Sequence, residues 1–177
     1  GQWQVALALL SSLTEQGHLP DVIGCNAAIS ACGKGGQWQL ALAVLGCIKS
    51  QELVPDIISF NAIISACEKG GRWQFALALL VNMAERLVLP DIISCNAAIS
   101  ACEKDGQWQP ALTLLTSTTQ LKLVPDVITC SAAISACEKG GQWQRAVALM
   151  GFMPRLRVVP DAISCSAAIS ACEKGSQ

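Results

Sequence analysis

The chain repeats one block of residues at an interval of 35, and this period constrains its fold more than any other feature. Three signals keep the interval through five copies: Trp3, Trp38, Trp73, Trp108 and Trp143; Pro20, Pro55, Pro90, Pro125 and Pro160, each followed by Asp; and Cys32, Cys67, Cys102, Cys137 and Cys172. A fixed period of about 20–50 residues indicates a solenoid, a propeller or another array. In a solenoid each repeat contacts only its neighbours, and the stack presents one long surface for binding.

Each repeat contains two apolar stripes with helical spacing. The repeat 22–56 places apolar residues at i, i+3, i+4 and i+7 twice, first at Cys25, Ala28, Ile29 and Cys32, then at Trp38, Ala41, Leu42 and Leu45. Gly35 and Gly36 between the stripes supply a helix stop and a tight turn, and Pro55 cannot continue a helix. Each repeat is therefore predicted to be a shorter helix A, a turn and a longer helix B. No segment alternates with period two, which argues against strands.

Composition narrows the class of protein further. Apolar residues make up 52% of the 177 and charged residues 14%, so much of the chain should be buried between stacked helices. No uninterrupted apolar run reaches about 18 residues, so no membrane partner is expected. No targeting segment is visible, and since the chain starts before a helix B and stops after a helix A, we interpret it as a fragment of a longer array. A net charge of −1 argues against nucleic-acid binding unless the basic residues share one face.

The 10 cysteines follow the packing pattern rather than a metal or disulfide pattern. Phe60 takes the place that Cys25 and Cys95 hold in their repeats, and two cysteines seven residues apart on a helix lie about 10.5 Å apart along its axis. No C-x₂-C spacing occurs, so we expect no metal and no cofactor, but buried, inert thiols suited to a reducing compartment. No acid–base pair or nucleophile constellation is present either. The chain is therefore predicted not to be an enzyme, with no catalytic residues and no small-molecule substrate.

The other face of helix A carries a polar stripe at spacing i, i+4, i+8. It reads Asn26, Ser30 and Lys34; Asn61, Ser65 and Lys69; Asn96, Ser100 and Lys104; Ser131, Ser135 and Lys139; Ser166, Ser170 and Lys174. Such a stripe is either the solvated face of an amphipathic helix or a ligand-binding row with focused positive charge. The Glu that precedes the lysine in four repeats cannot face its sequence neighbour, and we expect it to be solvated.

Two apolar rows accompany this stripe. An isoleucine lies three residues before each Asn or Ser, at Ile23, Ile58, Ile93, Ile128 and Ile163. These side chains either pack inside or offer a flat contact beside the polar row, and recognition of single-stranded RNA combines such a contact with hydrogen bonds to the base edge. The tryptophans lie on the apolar stripe of helix B and are predicted to form core between repeats.

These features together resemble the pentatricopeptide repeat family. The resemblance rests on the 35-residue interval, the segment IISCNAAISACEK with its close copies, the ALxLL helix and the closing Pro-Asp. It covers the whole chain as a partial repeat 1–21, full repeats 22–56, 57–91, 92–126 and 127–161, and a partial repeat 162–177. It implies an all-α, right-handed α-solenoid of helix-turn-helix repeats that binds single-stranded RNA, one base per repeat. It also implies an organellar protein, chloroplast or mitochondrial, acting in RNA processing, stability or translation.

The resemblance assigns roles by position in the repeat. The fifth residue and the closing Asp would select the base, here Asn26, Asp56, Asn61, Asp91, Asn96, Asp126, Ser131, Asp161 and Ser166. The second residues, the five isoleucines above, would sandwich the base, and Lys34, Lys69, Lys104, Lys139 and Lys174 would contact phosphates. By the resemblance, a repeat with Asn and Asp binds uracil and a repeat with Ser and Asp binds guanine. The implied core of the RNA target is therefore 5′-UUUG-3′. The sequence departs from the family at one position. The family has Gly four residues before the closing Asp, but this chain keeps it only at Gly17 and has Glu52, Leu87, Lys122 and Arg157 in the other repeats.

The alternative function is a protein-interaction solenoid that binds a peptide or a partner helix.

Overall fold

The structure is a computed structural model that describes residues 1–175, and all regular secondary structure in that range is helical. The helices are α1 (Gln2–Glu15), α2 (Val22–Lys34), α3 (Trp38–Ser50), α4 (Ile57–Lys69), α5 (Trp73–Glu85), α6 (Ile92–Lys104), α7 (Trp108–Gln120), α8 (Val127–Lys139), α9 (Trp143–Phe152) and α10 (Ala162–Gly175), with a short 3₁₀ helix at Met153–Leu156. The predicted all-α repeat array is confirmed. Even-numbered helices are helix A of a repeat, and odd-numbered helices are helix B.

The predicted difference in length between helix A and helix B is wrong. In the repeat 22–56 both α2 and α3 contain 13 residues, and the next two repeats are the same. Helix B is shortened at its C-terminus, because Glu52 adopts a left-handed φ of 58°. The N–H of Glu52 donates to the carbonyl of Lys49 and the N–H of Leu53 to that of Ile48, which closes the helix as a Schellman-type cap.

The helices group into two compact units, Gly1–Pro90 and Asp91–Gln177. In the first unit α2 packs against α1, α3 and α4; in the second unit α8 packs against α6, α7, α9 and α10. The core of each unit is built mainly from helix A, with Ile29, Phe60 and Ile64 fully buried in the first and Ile99 and Ile134 in the second. Complete burial of one such side chain stabilises the fold by about 1.5–3 kcal/mol.

Four of the five tryptophans, Trp3, Trp38, Trp108 and Trp143, pack on the turn of the following repeat. A Cβ atom placed on Gly70 would lie 2.5 Å from Cδ1 of Trp38, and the same crowding occurs for the pairs Gly35–Trp3, Gly140–Trp108 and Gly175–Trp143. In the turn 70–71 the first glycine leaves room for the approaching indole, whereas the second is required by its left-handed backbone, with φ of 63° at Gly71. The predicted packing between repeats is observed for these four tryptophans. None of them is fully buried, however, and Trp143 is 38% exposed.

Four residues other than glycine hold the left-handed conformation where helix B ends. Glu52, Leu87, Lys122 and Arg157 have φ between 58° and 60°, at the position where the first repeat has Gly17. This conformation disfavours residues with a Cβ atom by roughly 1–2 kcal/mol. The departure from the family's glycine therefore leaves the path of the chain unchanged and places a modest strain at each loop.

The cysteines behave as buried apolar residues, with few exceptions. Burial raises the pKa of the Cys67 thiol to about 11 and that of Cys102 to about 12, which keeps both protonated and unreactive at neutral pH. Cys47 and Cys172 are exposed. Within residues 1–175 no three His, Cys, Asp or Glu side chains cluster as metal ligands, and no described helix is long and apolar enough to cross a membrane.

We predict opposite effects for the same substitution at two glycines of the first compact unit. Gly70 has a φ of −79° that any residue can adopt, so Gly70→Ala acts only through its clash with the indole of Trp38 and should destabilise by about 1–3 kcal/mol. Gly46 lies in α3 with open space around it, so Gly46→Ala should stabilise by roughly 0.5–1 kcal/mol. Urea unfolding of both variants measures the difference. Equal stability of the two would contradict the indole packing.

Candidate functional site

The fifth residue of one repeat lies against the Asp that closes it and starts the next helix A. Asn26 Nδ2 donates to Asp56 Oδ1 at 3.1 Å, Asn96 Nδ2 donates to both carboxylate oxygens of Asp126 at 3.2 Å, and Ser131 Oγ donates to Asp161 Oδ1 at 3.2 Å. The structure therefore brings together three of the residue pairs that the family resemblance assigned to base selection. Asn61 and Asp91 belong to different compact units, so their pairing stays a prediction.

The same Asp is the N-cap of the next helix. Asp126 has an extended backbone, and its Oδ1 accepts from the Thr129 N–H at 2.8 Å and lies 2.8 Å from Thr129 Oγ1. Asp56, Asp91 and Asp161 accept in the same way from the N–H groups of Ser59, Ser94 and Ser164, whose hydroxyl oxygens lie within 3.1 Å of the carboxylates. Asp21 caps α2 through the Gly24 N–H alone, because glycine replaces the hydroxyl residue there. The sequence signal for this role is an Asp followed three residues later by Ser or Thr, and it was not recognised in advance.

The capping hydroxyl also holds the amide of the preceding repeat. Ser59 Oγ lies 2.6 Å from Asn26 Oδ1, and Thr129 Oγ1 lies 2.6 Å from Asn96 Oδ1. Each amide thus contacts a hydroxyl through its oxygen and donates from its nitrogen to a carboxylate, which can only accept. Because both ends are held, the amide has one orientation, with one N–H and one oxygen lone pair left for a ligand.

Hydrogen bonding keeps the paired carboxylates ionised. Burial on its own raises the pKa of the Asp126 carboxyl, but the hydrogen bonds from Thr129 and Asn96 outweigh burial and leave the pKa below its usual value. The pKa of Asp56 is lowered in the same way against the effect of burial, by hydrogen bonds from Ser59 and Asn26. The site is therefore an array of fixed negative charges, each with an oriented amide or hydroxyl.

The row of second-position isoleucines is exposed. The exposed fraction of Ile23, Ile58, Ile93, Ile128 and Ile163 lies between 58% and 77%. In the second unit, Ile128 and Ile163 line a cavity of ≈ 210 Å³ together with Ser131 and Asp161. Of the two interpretations open for these isoleucines, the flat contact beside the polar row agrees with the structure, and inward packing does not.

The lysines at the end of helix A have two kinds of environment. Lys139 Nζ lies 2.8 Å from Glu103 Oε1, and Lys174 forms an ion pair with Glu138. The expectation that these glutamates are solvated is wrong, because the side chains of Glu103 and Glu138 are only 25% and 12% exposed. Each glutamate meets the lysine of the next repeat rather than its own sequence neighbour. In the described residues Lys34 and Lys69 make no ion pair or side-chain hydrogen bond.

Sequence profiles of one family match most of this array. The profile described as the pentatricopeptide repeat domain matches residues 8–70, and the profile described as the PPR repeat matches residues 58–86 and 128–158. Together these matches cover more than half of the chain. A comparison with curated protein sequences finds no match.

Solved structures of the same family share the fold. The crystal structure of the pentatricopeptide repeat protein PPR10 from maize is 25% identical, with a TM-score of 0.74 over 95% of this chain and 24% of that protein. PPR10 in complex with an 18-nt psaJ RNA element is similar at 21% identity and a TM-score of 0.75, over 92% of this chain and 24% of that one. The PPR domain of Arabidopsis thaliana PRORP1 in complex with tRNA gives 13% identity and a TM-score of 0.71, over 84% and 81% of the two chains. The chain thus spans about a quarter of the length of PPR10.

We predict that Asp126 stabilises the fold both as a cap and as a charge. Asp126→Ala should destabilise by about 0.5–2 kcal/mol at neutral pH, because it removes the N-cap of α8. Asp126→Asn keeps a capping oxygen but loses the charge. Because the folded-state pKa is below the ordinary 3.8, the charge stabilises above that pH, and its contribution disappears as pH falls through the folded-state pKa.

The measurement is chemical unfolding of wild type, Asp126→Asn and Asp126→Ala between about pH 3 and pH 7. The stability difference between wild type and Asp126→Asn should shrink with acidity, while Asp126→Ala stays the least stable of the three at neutral pH. A wild-type advantage over Asp126→Asn that grows toward low pH would contradict the assignment.

Proposed function

The chain belongs to the pentatricopeptide repeat family, and from this we propose that it binds single-stranded RNA, with one base held at each repeat. The observation that carries the proposal is the Asn–Asp or Ser–Asp pair with exposed isoleucines beside it. Such a site offers an apolar contact to the face of a base and fixed hydrogen-bonding groups to its edge, the combination used to read single-stranded RNA. The RNA complexes of PPR10 and of the PRORP1 domain support the same class of ligand.

The hydrogen-bonding groups left over in each pair favour particular bases. The amides of Asn26 and Asn96 retain one donor and one acceptor, which complement the carbonyl oxygen and N3–H of uracil. The Ser131 hydroxyl donates its proton to Asp161, so only acceptor lone pairs remain. Acceptors suit the N1–H and amino group of guanine. With the 5′-to-3′ direction taken from the family resemblance, the proposed core is 5′-UUUG-3′.

The phosphate contacts and the biological role complete the proposal. Lys34, Lys69, Lys104, Lys139 and Lys174 would contact phosphates, and since the net charge is only −1, we expect modest affinity that falls as salt rises. We propose, on the family resemblance, that the protein acts in the chloroplast or mitochondrion in RNA processing, stability or translation. No chemical step is assigned to the chain.

A second candidate function is the binding of a protein partner. It is favoured by a row of exposed apolar side chains that immediately precede the prolines of the loops, at Leu19, Val54, Leu89, Val124 and Val159. A peptide held by such a row would bind mainly through apolar contact and would show little dependence on salt. RNA binding should weaken steeply with salt as phosphate contacts are lost.

We predict that Ser131→Asn changes the preferred fourth base from guanine to uracil. The substitution is compatible with the site, because Ser164 can hold the new amide as Ser59 holds Asn26. Wild type should bind UUUG about tenfold more tightly than UUUU, and the variant should reverse the preference, since one good base-edge contact contributes about 1–3 kcal/mol. Titration of both proteins with both fluorescent oligonucleotides at two salt concentrations tests the base code. Four equal affinities that do not change with salt would favour the protein-binding alternative.

A further inference from the structure

The ion pairs of the second unit lie on the surface that we propose for RNA. Glu103 pairs with Lys139 and lines the same ≈ 210 Å³ cavity as Ser131 and Asp161. Glu138 pairs with Lys174, accepts from Ser170 Oγ at 3.2 Å and lines a cavity of ≈ 480 Å³ with Ser166. Two acidic side chains are thus next to the base site and attached to two of the lysines that would bind phosphate.

The first unit lacks these pairs for a reason visible in the sequence. Each observed pair joins a lysine to the glutamate 36 residues before it. The residue 36 before Lys69 is Gly33, which has no side chain to offer. Lys34 and Lys69 are exposed, and neither makes an ion pair in the described part of the chain.

We propose that Glu103 and Glu138 act as internal competitors of RNA phosphates for Lys139 and Lys174, so that phosphate binding is stronger at Lys34 and Lys69 than at Lys139 and Lys174. The inference rests on the RNA-binding function proposed above. An ammonium already neutralised by a carboxylate carries little net charge for a phosphate to meet, and it contributes little to the electrostatic part of RNA affinity. A phosphate that approaches Lys139 also approaches the Glu103 carboxylate and is repelled by it.

An opposite role for the same contact is that Glu103 positions Lys139 for the phosphate. A positioning role requires that loss of the carboxylate weakens RNA binding, whereas competition requires that it strengthens binding. The two roles therefore differ in the sign of one measurable effect.

The test is a double-mutant cycle with Glu103→Gln, Lys139→Gln and the double variant in the full chain, titrated with a fluorescent oligonucleotide that contains UUUG. Glu103→Gln should tighten binding about two- to fivefold, the range expected for release from an exposed ion pair. It should also increase the magnitude of the slope of log affinity against log salt by about 0.7, as one more phosphate contact forms. In the Lys139→Gln background the gain should be smaller.

The matched control is Glu15→Gln. Glu15 is exposed on α1 and makes no ion pair in the described part of the chain, so the variant removes the same charge without releasing a lysine. It should tighten binding clearly less than Glu103→Gln. A readout that needs no RNA is the rate at which Lys139 reacts with an acylating reagent, followed by mass spectrometry. This rate should rise in Glu103→Gln and stay unchanged in Glu15→Gln.

The outcomes separate failure of the inference from failure of the proposed function. If wild type binds RNA and Glu103→Gln binds more weakly than wild type, or no better than Glu15→Gln, competition is overturned and RNA binding stands. If wild type and all variants fail to bind RNA, both proposals are overturned. An unchanged Lys139 reaction rate in Glu103→Gln shows that the ion pair does not mask the lysine, and it also overturns the inference.

Discussion

The carboxylate of the closing Asp is the group on which both the fold and the candidate site depend. At Asp126 it accepts the N–H of Thr129 and so starts α8, and it also accepts the amide N–H of Asn96 from the preceding repeat. One side chain therefore begins a helix, joins two repeats and orients the group proposed to face a base. Because the helix end fixes the carboxylate, the amide is oriented before any ligand arrives, which reduces the entropy lost on binding.

In the proposed RNA complex, base specificity and phosphate affinity would come from different side chains of the helix A row. The groups proposed to face base edges are held by Asp pairs that are observed in three of the four full repeats. Lysine charge is available at Lys34 and Lys69 and is partly cancelled at Lys139 and Lys174. A chain with a net charge of −1 can in this way present local positive charge. An RNA with the correct bases would then be held mostly by contacts that depend on sequence rather than by phosphate attraction alone.

Local pattern accounts for the parts of the structure that were predicted correctly. Helical spacing around Ile29 and Leu45 predicted the hairpins, because an apolar stripe must be buried by a neighbouring helix. The length of helix B and the environment of Glu103 were predicted wrongly. The first depends on a left-handed residue at Glu52, and the second on a lysine 36 residues away, and neither is visible in the residues on either side.

The sequence by itself determined the helical hairpin, its interval of 35 residues, and the family resemblance that assigns the fifth and closing positions to base selection, since a repeated local pattern can be recognised without knowledge of neighbours. Only the tertiary structure decided that Asn96, Asp126 and Thr129 form one hydrogen-bonded group, that Trp38 needs a glycine at Gly70, and that Lys139 meets Glu103. The physical reason is that these contacts join side chains of successive repeats, and their distances follow from how one hairpin packs on the next.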